Sequence, residues 1–414
     1  MRSTETTAMS HRSRRLVPPL TRVRLAGAAV AAAVLAVSLL AAAAPAGAST
    51  PTGVVSAAAP VVWDGTDLIT AAAGANGVLY AYEQVPGASS WSQQQVADEA
   101  PDGSALGPPS ITVTSSAVQV ISEDPTGDIW FYQQILGQSG WSAAQLVGSV
   151  SQGNAEGAQY PKIAWTGVAG HTGTNSVVTV ADGSGDLEFW YQNSSGGWTG
   201  ETVASGTPQN KWYGAALTAT NQGIVIAAVG TTVGFGSFYQ AYGSSAPWSS
   251  DGTQGGESFS AISVTWDGTN VDAVATYGGS GMIVLWKPDS GTDWNAVAWG
   301  GGPGLYGPMT ITFTGSNLLI TAVWQVSSSQ QRLIFWWQQA EDGEYANFNP
   351  ENLGTVNEPQ GYGPPDLVYT VGARSPEAVI VAPFTTNNYE TSGLDDWTQP
   401  YGGSNWTQHT VAPS

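Results

Sequence analysis

The residues of this chain that could do chemistry are mainly carboxylates. The 414 residues include 31 Asp and Glu, 11 Lys and Arg, three His and no Cys, for a formal net charge of −20. The lack of Cys excludes thiol nucleophiles, disulfide frameworks and Cys-based zinc or iron–sulfur sites. Two carboxylates suffice for glycoside hydrolysis. The acidic residues are scattered, however, and no pair stands out as catalytic.

Basic residues are too few for several other chemistries. After residue 48 the only histidines are His171 and His409, and no Gly-x-Ser-x-Gly motif supports a Ser–His–Asp nucleophile. The two arginines of this part, Arg332 and Arg374, are too few for a three-arginine carboxylate clamp. Phosphate sites depend on clustered Lys and Arg or on a metal, and the negative charge repels nucleic acid. We therefore expect no nucleic-acid partner.

Carboxylates four residues apart recur in two equivalent turns, as Asp124 with Asp128 and as Asp182 with Asp186. Calcium takes oxygen ligands of this kind, so one interpretation is a calcium site. The other is a polar β-turn in which Asp and Gly serve the backbone geometry. We favour the turn and expect no cofactor.

A repeat organises the chain after its N-terminal segment, with spacings of 47 to 61 residues. Its anchor begins with an apolar residue, usually has an aromatic residue three positions later and usually Gln two positions beyond that. The seven anchors are Leu79–Gln84, Ile129–Gln134, Leu187–Gln192, Phe235–Gln240, Met282–Lys287, Leu333–Gln338 and Leu394–Gln399. A Gly- and Ser-rich turn and then a tryptophan follow six of them: Trp91, Trp141, Trp198, Trp248, Trp294 and Trp406. In the sixth copy Tyr345 or Phe348 takes this place.

Two further extended runs precede each anchor, so each repeat predicts four strands. The near copies Trp63–Thr66 and Trp266–Thr269 contain Asp-Gly, a strong hairpin signal. No segment after residue 48 has a convincing helical period. Seven such units predict an all-β fold, a seven-bladed β-propeller with four antiparallel strands per blade, over residues 59–414. Two β-sandwiches or a β-helix fit the repeat less well.

The N-terminal segment has the pattern of an export signal. Six arginines precede the apolar run Leu25–Ala44, which is followed by Ala46-Gly47-Ala48. We interpret residues 1–48 as a signal peptide, the alternative being an uncleaved membrane anchor. Residues 49–58 are then a linker or a seam strand. The segment holds six basic residues and one acid, so the rest has a formal charge of −25. We expect a secreted protein with no membrane contact after cleavage, and the Ala-rich leader suggests a bacterial source.

The repeat sorts the 18 tryptophans into framework and remainder. The six that open the outermost strand are predicted to be core. Six others close the first strand or occupy the aromatic position of the anchor, namely Trp63, Trp165, Trp266, Trp190, Trp336 and Trp397. Those outside the shared positions are Trp130, Trp212, Trp286, Trp299, Trp324 and Trp337.

Aromatic residues also lie just before the first strand of several repeats, in loops that Gly and Pro would stiffen. One interpretation is a hydrophobic contact between neighbouring blades. The other is a set of platforms on which sugar rings stack, since a few polar groups on an aromatic wall are typical of small-ligand sites. The candidate carbohydrate-binding residues are Tyr160, Trp212, Tyr213, Phe259, Tyr306 and Tyr362.

The anchor, the Gly-rich turn, the Trp and a short Thr-Val-Ala run together resemble the repeats of tectonin-like and fucose-binding propeller lectins, over residues 59–412. In those lectins sugars typically lie in pockets between blades, and the resemblance implies the same here. This chain departs from them because its repeats share no Arg or His. We therefore predict a secreted, non-catalytic, lectin-like propeller that binds neutral glycans or polysaccharide through aromatic residues at blade boundaries. The alternatives are a secreted glycoside hydrolase or polysaccharide lyase with carboxylates in the propeller funnel, or a protein-interaction platform.

Overall fold

The computed structural model describes residues 60–74, 76–151, 160–167, 176–244, 246–254, 259–277, 281–289, 291–299, 305–327, 329–338, 348–357, 361–370, 376–386, 390–400, 403 and 405–412. All of them belong to the second of two compact units of the chain, residues 50–414. The proposed signal peptide and the linker or seam strand lie outside the described residues. Within the described part, no helix is long and apolar enough to cross a membrane.

Seven antiparallel sheets follow one another along the chain, and each sheet is one repeat. Blades 1 to 4 consist of β1 (Val61–Trp63), β2 (Leu68–Ala73), β3 (Leu79–Gln84), β4 (Ser92–Ala97); β5 (Pro109–Val113), β6 (Ala117–Glu123), β7 (Asp128–Ile135), β8 (Gln145–Ser149); β9 (Lys162–Trp165), β10 (Ser176–Ala181), β11 (Leu187–Gln192), β12 (Trp198–Ala204); and β13 (Trp212–Ala219), β14 (Gly223–Gly230), β15 (Gly234–Ala241), β16 (Ser249–Gln254). Blades 5 to 7 consist of β17 (Phe259–Trp266), β18 (Asn270–Tyr277), β19 (Gly281–Pro288), β20 (Asn295–Trp299); β21 (Leu305–Phe313), β22 (Leu318–Ser327), β23 (Gln330–Gln338), β24 (Phe348–Asn357); and β25 (Gly361–Tyr362), β26 (Asp366–Tyr369), β27 (Glu377–Thr386), β28 (Glu390–Pro400), β29 (Thr407–Ala412).

This architecture is the predicted seven-bladed β-propeller. In blades 1 to 6 the four strands pair in sequence order, whereas in blade 7 β25 and β26 both pair with β27 and together take the place of the first strand. The first strands of neighbouring blades contact one another around the axis. Each anchor lies in the third strand, and Leu79–Gln84 and Leu187–Gln192 coincide with β3 and β11. Since both faces of a blade are covered by its neighbours, β2, β10 and β14 are buried along their whole length. The all-β prediction is confirmed.

The two Asp-Gly hairpins form as their sequence predicts. Gly65 and Gly268 adopt φ of 99° and 93°, values that glycine tolerates without strain. In the first hairpin, Oδ1 of Asp64 accepts hydrogen bonds from the backbone N–H groups of Thr66 and Asp67, both at 2.7 Å. Asp267 makes the equivalent bonds in the second hairpin. These turns join the first and second strands of blades 1 and 5.

The tryptophans that precede or open the outermost strands fasten each blade to the one before it. Four of them pack edge-on against a phenylalanine in the third strand of the preceding blade. The pairs, with ring-centroid distances, are Trp198–Phe131 (5.3 Å), Trp248–Phe189 (4.9 Å), Trp294–Phe235 (4.9 Å) and Trp406–Phe335 (4.8 Å). This edge-to-face geometry is favourable for aromatic rings. The repeated tryptophan is therefore part of the framework.

The glutamine of the anchor also has a structural role. Its side-chain amide donates to a backbone carbonyl in the turn that joins the third and fourth strands. In blade 5 the anchor ends in Lys287 instead, and its ammonium keeps the bond to the carbonyl of Gly291 at 3.2 Å. It also forms an ion pair of 2.7 Å with Asp251 of blade 4. The lysine thus adds a charged link between blades where other repeats have an amide.

The ring closes between blades 7 and 1, each of which is built from its own part of the chain among the described residues. Oδ2 of Asp366 accepts a hydrogen bond of 2.8 Å from the backbone of Val61. Three other blades have Phe at the third anchor position, but blade 7 has Asp396, which is fully buried. Its carboxylate accepts the indole N–H of Trp91 at 3.1 Å and contacts His409 at 3.3 Å. The seam therefore relies on buried polar groups.

This seam is expected to make the protein less stable as the pH rises. Burial raises the pKa of Asp395, Asp396 and Glu377 above ordinary carboxyl values. The folded state then retains protons that the unfolded chain has lost, so stability falls as the pH rises through these raised values. We expect the Tm to be higher at about pH 5 than at about pH 8. Asp396→Asn, which keeps an acceptor for Trp91, should reduce this dependence, and a Tm that rises with pH would contradict the explanation.

Candidate functional site

A cavity of about 270 Å³ opens between blades 2 and 3. It lies at the edge of the blades that carries the turns between first and second strands and between third and fourth strands. Its lining consists of Thr114, Ser115, Ser116, Ala117, Gln119, Gln133 and Ile135 from blade 2 and Ser176, Gln192, Asn193, Ser194 and Gly196 from blade 3. None of these side chains is charged. We call this cavity the 2/3 cleft.

Hydrogen bonds between the two blades hold the 2/3 cleft in shape. The buried hydroxyl of Ser176 donates to Oε1 of Gln119 at 2.6 Å, joining the two second strands. Farther out, the amides of Gln145 and Gln192 both donate to the carbonyl of Gly196, at 2.7 and 3.1 Å. Asn193 stabilises the turn itself, since its Oδ1 accepts from the backbone of Ser195 and Gly197. The walls are therefore positioned before any ligand arrives.

The chemistry of this lining is recognition without proton transfer. Amides and hydroxyls supply both donors and acceptors, as the hydroxyl groups of a sugar require. Ile135 is 40% exposed and supplies an apolar patch beside them. The described residues of the lining include no carboxylate or histidine, the groups that most often serve general acid–base catalysis. The 2/3 cleft is suited to bind a neutral polar ligand.

The position of Gln133 in the wall of the 2/3 cleft has an equivalent in each of the other blades, where the side chain is different. Gln133 is the fifth residue of its anchor, and the corresponding residues of the other blades are Glu83, Tyr191, Tyr239, Trp286, Trp337 and Thr398. That this position faces the next blade is seen at Tyr239, whose ring centroid lies 5.8 Å from Nζ of Lys287. Four consecutive blades, 3 to 6, therefore present an aromatic ring to the following blade. Trp337 is 36% exposed and stacks on Phe335, with 6.0 Å between ring centroids.

Blade 1 has a carboxylate at this position. Burial, followed by the charges of neighbouring carboxylates, raises the pKa of both Glu83 and Asp67.

The innermost strands give little support for catalysis in the funnel. Among the described residues of these strands, Lys162 and Asp366 are the only charged ones. Burial raises the pKa of Asp366, although hydrogen bonds from the backbone of Val61 and Leu367 and the charge of Lys162 oppose this. Burial lowers the pKa of Lys162. A single carboxylate that the ring already uses as an acceptor does not provide a catalytic pair.

The candidate residues from sequence lie at blade boundaries, but two of them are buried. Trp212 is 5% exposed and packs edge-on against Phe238 at 5.4 Å. Phe259 is 3% exposed and contacts Tyr277 at 5.7 Å. The hydroxyl of Tyr213 donates to the backbone carbonyl of Phe259 and so links blades 4 and 5. Trp212 and Phe259 also lie in buried clusters with residues of the preceding blade, which is the hydrophobic contact of the alternative interpretation.

The other three candidates are distributed around the ring. Tyr160 is 38% exposed, and burial, then the charge of Glu123, raises its pKa. Tyr362 packs edge-on against Trp397 at 5.7 Å, and burial raises its pKa to about 12. The backbone of Tyr306 belongs to β21, and its side chain lies outside the described part. None of the six is among the residues that line the 2/3 cleft.

The paired aspartates serve their turns. Oδ1 of Asp124 accepts from the backbone of Thr126 and of Asp128, and Oδ2 accepts the indole N–H of Trp130 at 2.8 Å. Burial acts to raise the pKa of Asp124, but these hydrogen bonds outweigh it and the pKa is lowered. Asp182 accepts in the same way from the backbone of Asp186. Within the described residues, no group of three acidic or histidine side chains is arranged to hold a metal.

Comparison with known proteins supports the fold. No family model matches the sequence, and no curated protein matches it. The lectin BP39L from Burkholderia pseudomallei has a TM-score of 0.63 and 14% identity, over 88% of this chain and 100% of that chain. A prolyl endopeptidase has a TM-score of 0.51 and 12% identity, over 87% of this chain and 50% of that chain. The six-bladed lectin of Aleuria aurantia has a TM-score of 0.45 and 12% identity, over 74% of this chain and 94% of that chain. Identities of this size establish the fold alone, and the third score is too low for any argument.

Proposed function

We propose that this chain is a secreted, non-catalytic protein that binds neutral glycans in the clefts between its blades. The observation that carries the proposal is the 2/3 cleft, whose lining is uncharged and rich in amides and hydroxyls. The equivalent wall is aromatic in blades 3 to 6, and an aromatic ring packs well on the apolar face of a pyranose. Amide hydrogen bonding and aromatic stacking are the two interactions that a neutral sugar needs.

Three further observations are consistent with this proposal. The solved structure of BP39L, which is a lectin, has the same fold. The formal charge of −25 after residue 48 disfavours anionic polymers as ligands. The N-terminal segment, residues 1–48, is Arg-rich and then apolar, a pattern typical of exported proteins. An exported protein would encounter extracellular polysaccharide.

Removing the amide of Gln133 is expected to weaken glycan binding at the 2/3 cleft. A glycan array would identify the neutral sugar, and calorimetric titration of that sugar would then compare variants. Since one hydrogen bond contributes about 1 kcal/mol, Gln133→Ala should lower the affinity of this cleft roughly five- to tenfold. Gln133→Tyr, which introduces the residue that blades 3 and 4 have here, should retain binding. Gln95→Ala, in the outermost strand of blade 1, is the matched control and should bind as the wild type does.

The same protein and its variants also distinguish this proposal from the alternative functions, a hydrolase or lyase and a protein-interaction platform. Equal affinity of Gln133→Ala and wild type, or no response to any neutral sugar at millimolar concentration, would contradict the proposal. A hydrolase or lyase would release reducing ends from plant or microbial polysaccharides, and we expect none. A protein-interaction platform would capture partners from culture supernatant irrespective of added sugar, whereas a lectin releases its glycoprotein partners when the free sugar is added.

A further inference from the structure

Arg332 and Trp324 form a charged aromatic pair on blade 6. They lie directly opposite each other on the adjacent strands β23 and β22. The guanidinium carbon of Arg332 is 5.6 Å from the centroid of the Trp324 ring, a cation–π distance. Both side chains are half-buried. The indole therefore supports one face of the guanidinium and fixes its plane.

The edge of this guanidinium remains available for a ligand. An arginine has five N–H donors in its plane, and stacking on an aromatic ring uses the face of the group rather than this edge. Nε of Arg332 is buried and has no hydrogen-bond partner, so a ligand would approach the guanidinium at its two Nη groups. Among the residues that the structure describes, no acid lies within ion-pair distance of it, whereas Lys287 is paired with Asp251.

A hydroxyl-bearing residue, Thr355, lies beside this pair. It is opposite Arg332 in β24, so Trp324, Arg332 and Thr355 occupy adjacent positions across three strands, and we call these three residues the row. Oγ1 of Thr355 accepts a hydrogen bond from Asn352 at 3.1 Å, which leaves its O–H free to donate. Thr355 is exposed. A ligand oxygen at the edge of the guanidinium would have this second donor beside it.

We propose that Arg332, held on Trp324, binds the carboxylate of an acidic sugar, with Thr355 as an additional donor. A guanidinium edge matches a carboxylate through two parallel N–H···O bonds. One arginine compensates one negative charge, so a monocarboxylate suits the row better than a phosphate, which has a charge of about −1.5 to −2. The row of Trp324, Arg332 and Thr355 lies near the start of β23. Gln338, which has the same anchor position as Gln192 of the 2/3 cleft, lies at the opposite end of this strand. The site is thus separate from the proposed neutral clefts.

The test is titration of the full chain with D-glucuronate and with D-glucose at low salt, followed by calorimetry and tryptophan fluorescence. We expect glucuronate to bind at this site and Arg332→Gln to lower its affinity at least tenfold, since a charge-assisted interaction is lost. The glucuronate affinity of Arg332→Lys should lie between those of the wild type and Arg332→Gln, because lysine keeps the charge but not the planar donors. Lys211→Gln removes one exposed positive charge elsewhere and should leave glucuronate binding unchanged.

Several outcomes would overturn the inference. Equal glucuronate affinity for Arg332→Gln and wild type would remove the site from Arg332. An equal loss in Lys211→Gln would show an effect of net charge only, and tighter binding of glucose 6-phosphate than of glucuronate would contradict the carboxylate class. Unchanged thermal unfolding of Arg332→Lys establishes that its binding loss is local. Gln133→Ala should leave glucuronate binding intact, so failure of the neutral clefts and failure of this site are separable.

Discussion

Asp251→Ala is expected to lower the free energy of unfolding by about 3–5 kcal/mol, the range found when one partner of a buried ion pair is removed. Its partner Lys287 has no exposed side-chain surface, and the two charged atoms lie 2.7 Å apart. The rings of Tyr239 and Trp294 lie 5.8 and 5.9 Å from the ammonium and cannot replace a carboxylate. The variant would leave a buried ammonium without its counter-charge. Urea unfolding followed by tryptophan fluorescence would measure the loss.

The double variant Asp251→Ala/Lys287→Gln provides the control for this explanation. Glutamine is the residue that the other six blades have at this anchor position, and in four of them its amide is seen to donate to the carbonyl of the following turn. Removing both charges leaves none uncompensated, so we expect the double variant within about 1 kcal/mol of the wild type. A double variant as unstable as Asp251→Ala would show that the loss comes from packing around Asp251 instead.

The fold could be predicted from the sequence because every repeat contributes the same local signals. Most anchors carry apolar and aromatic residues in succession, as strands covered on both faces require, and Asp-Gly specifies hairpins such as the one at Asp64 and Gly65. The recurring Trp then fixes how neighbouring blades meet, as Trp198 and Phe131 illustrate. Seven repetitions of one unit leave few arrangements in which no blade has an uncovered face. Composition and spacing were sufficient for this level of structure.

The site was harder to predict because a ligand site depends on what packing leaves open. Trp212 and Phe259 have the residue type of a sugar platform, but their rings fill the space between blades and are 5% and 3% exposed. Gln133, by contrast, is of a residue type that does not by itself indicate a ligand site, yet it lines the 2/3 cleft. One signal was present in the sequence, because the fifth anchor residue is aromatic in four consecutive repeats. Successive side chains of a strand point to opposite faces, so the fifth residue faces the next blade when the fourth residue packs against the preceding blade.

Trp248→Ala is expected to destabilise the protein by about 3 kcal/mol, within the range for loss of a large aromatic side chain from a packed site. Trp248 packs edge-on against Phe189 at 4.9 Å, and its indole N–H donates to Glu201 at 2.8 Å, so it joins blade 4 to blade 3 by two kinds of contact. Trp248→Phe keeps much of the ring contact and loses the hydrogen bond, for which we expect about 1 kcal/mol. Chemical unfolding of both variants would measure these values.

Trp337→Ala is the matched variant, because the same residue type lies at a boundary between blades but is 36% exposed. Its stacking partner Phe335 also packs against Trp406 at 4.8 Å, so loss of the Trp337 ring leaves that contact between blades in place. We expect Trp337→Ala to cost less than about 1 kcal/mol, as most substitutions of exposed residues away from special features do. If framework and ligand tryptophans are distinct, Trp248→Ala loses stability, and Trp337→Ala loses affinity for the neutral glycan. Equal destabilisation by the two substitutions would place Trp337 in the framework and restrict the stacking platforms to Tyr191, Tyr239 and Trp286.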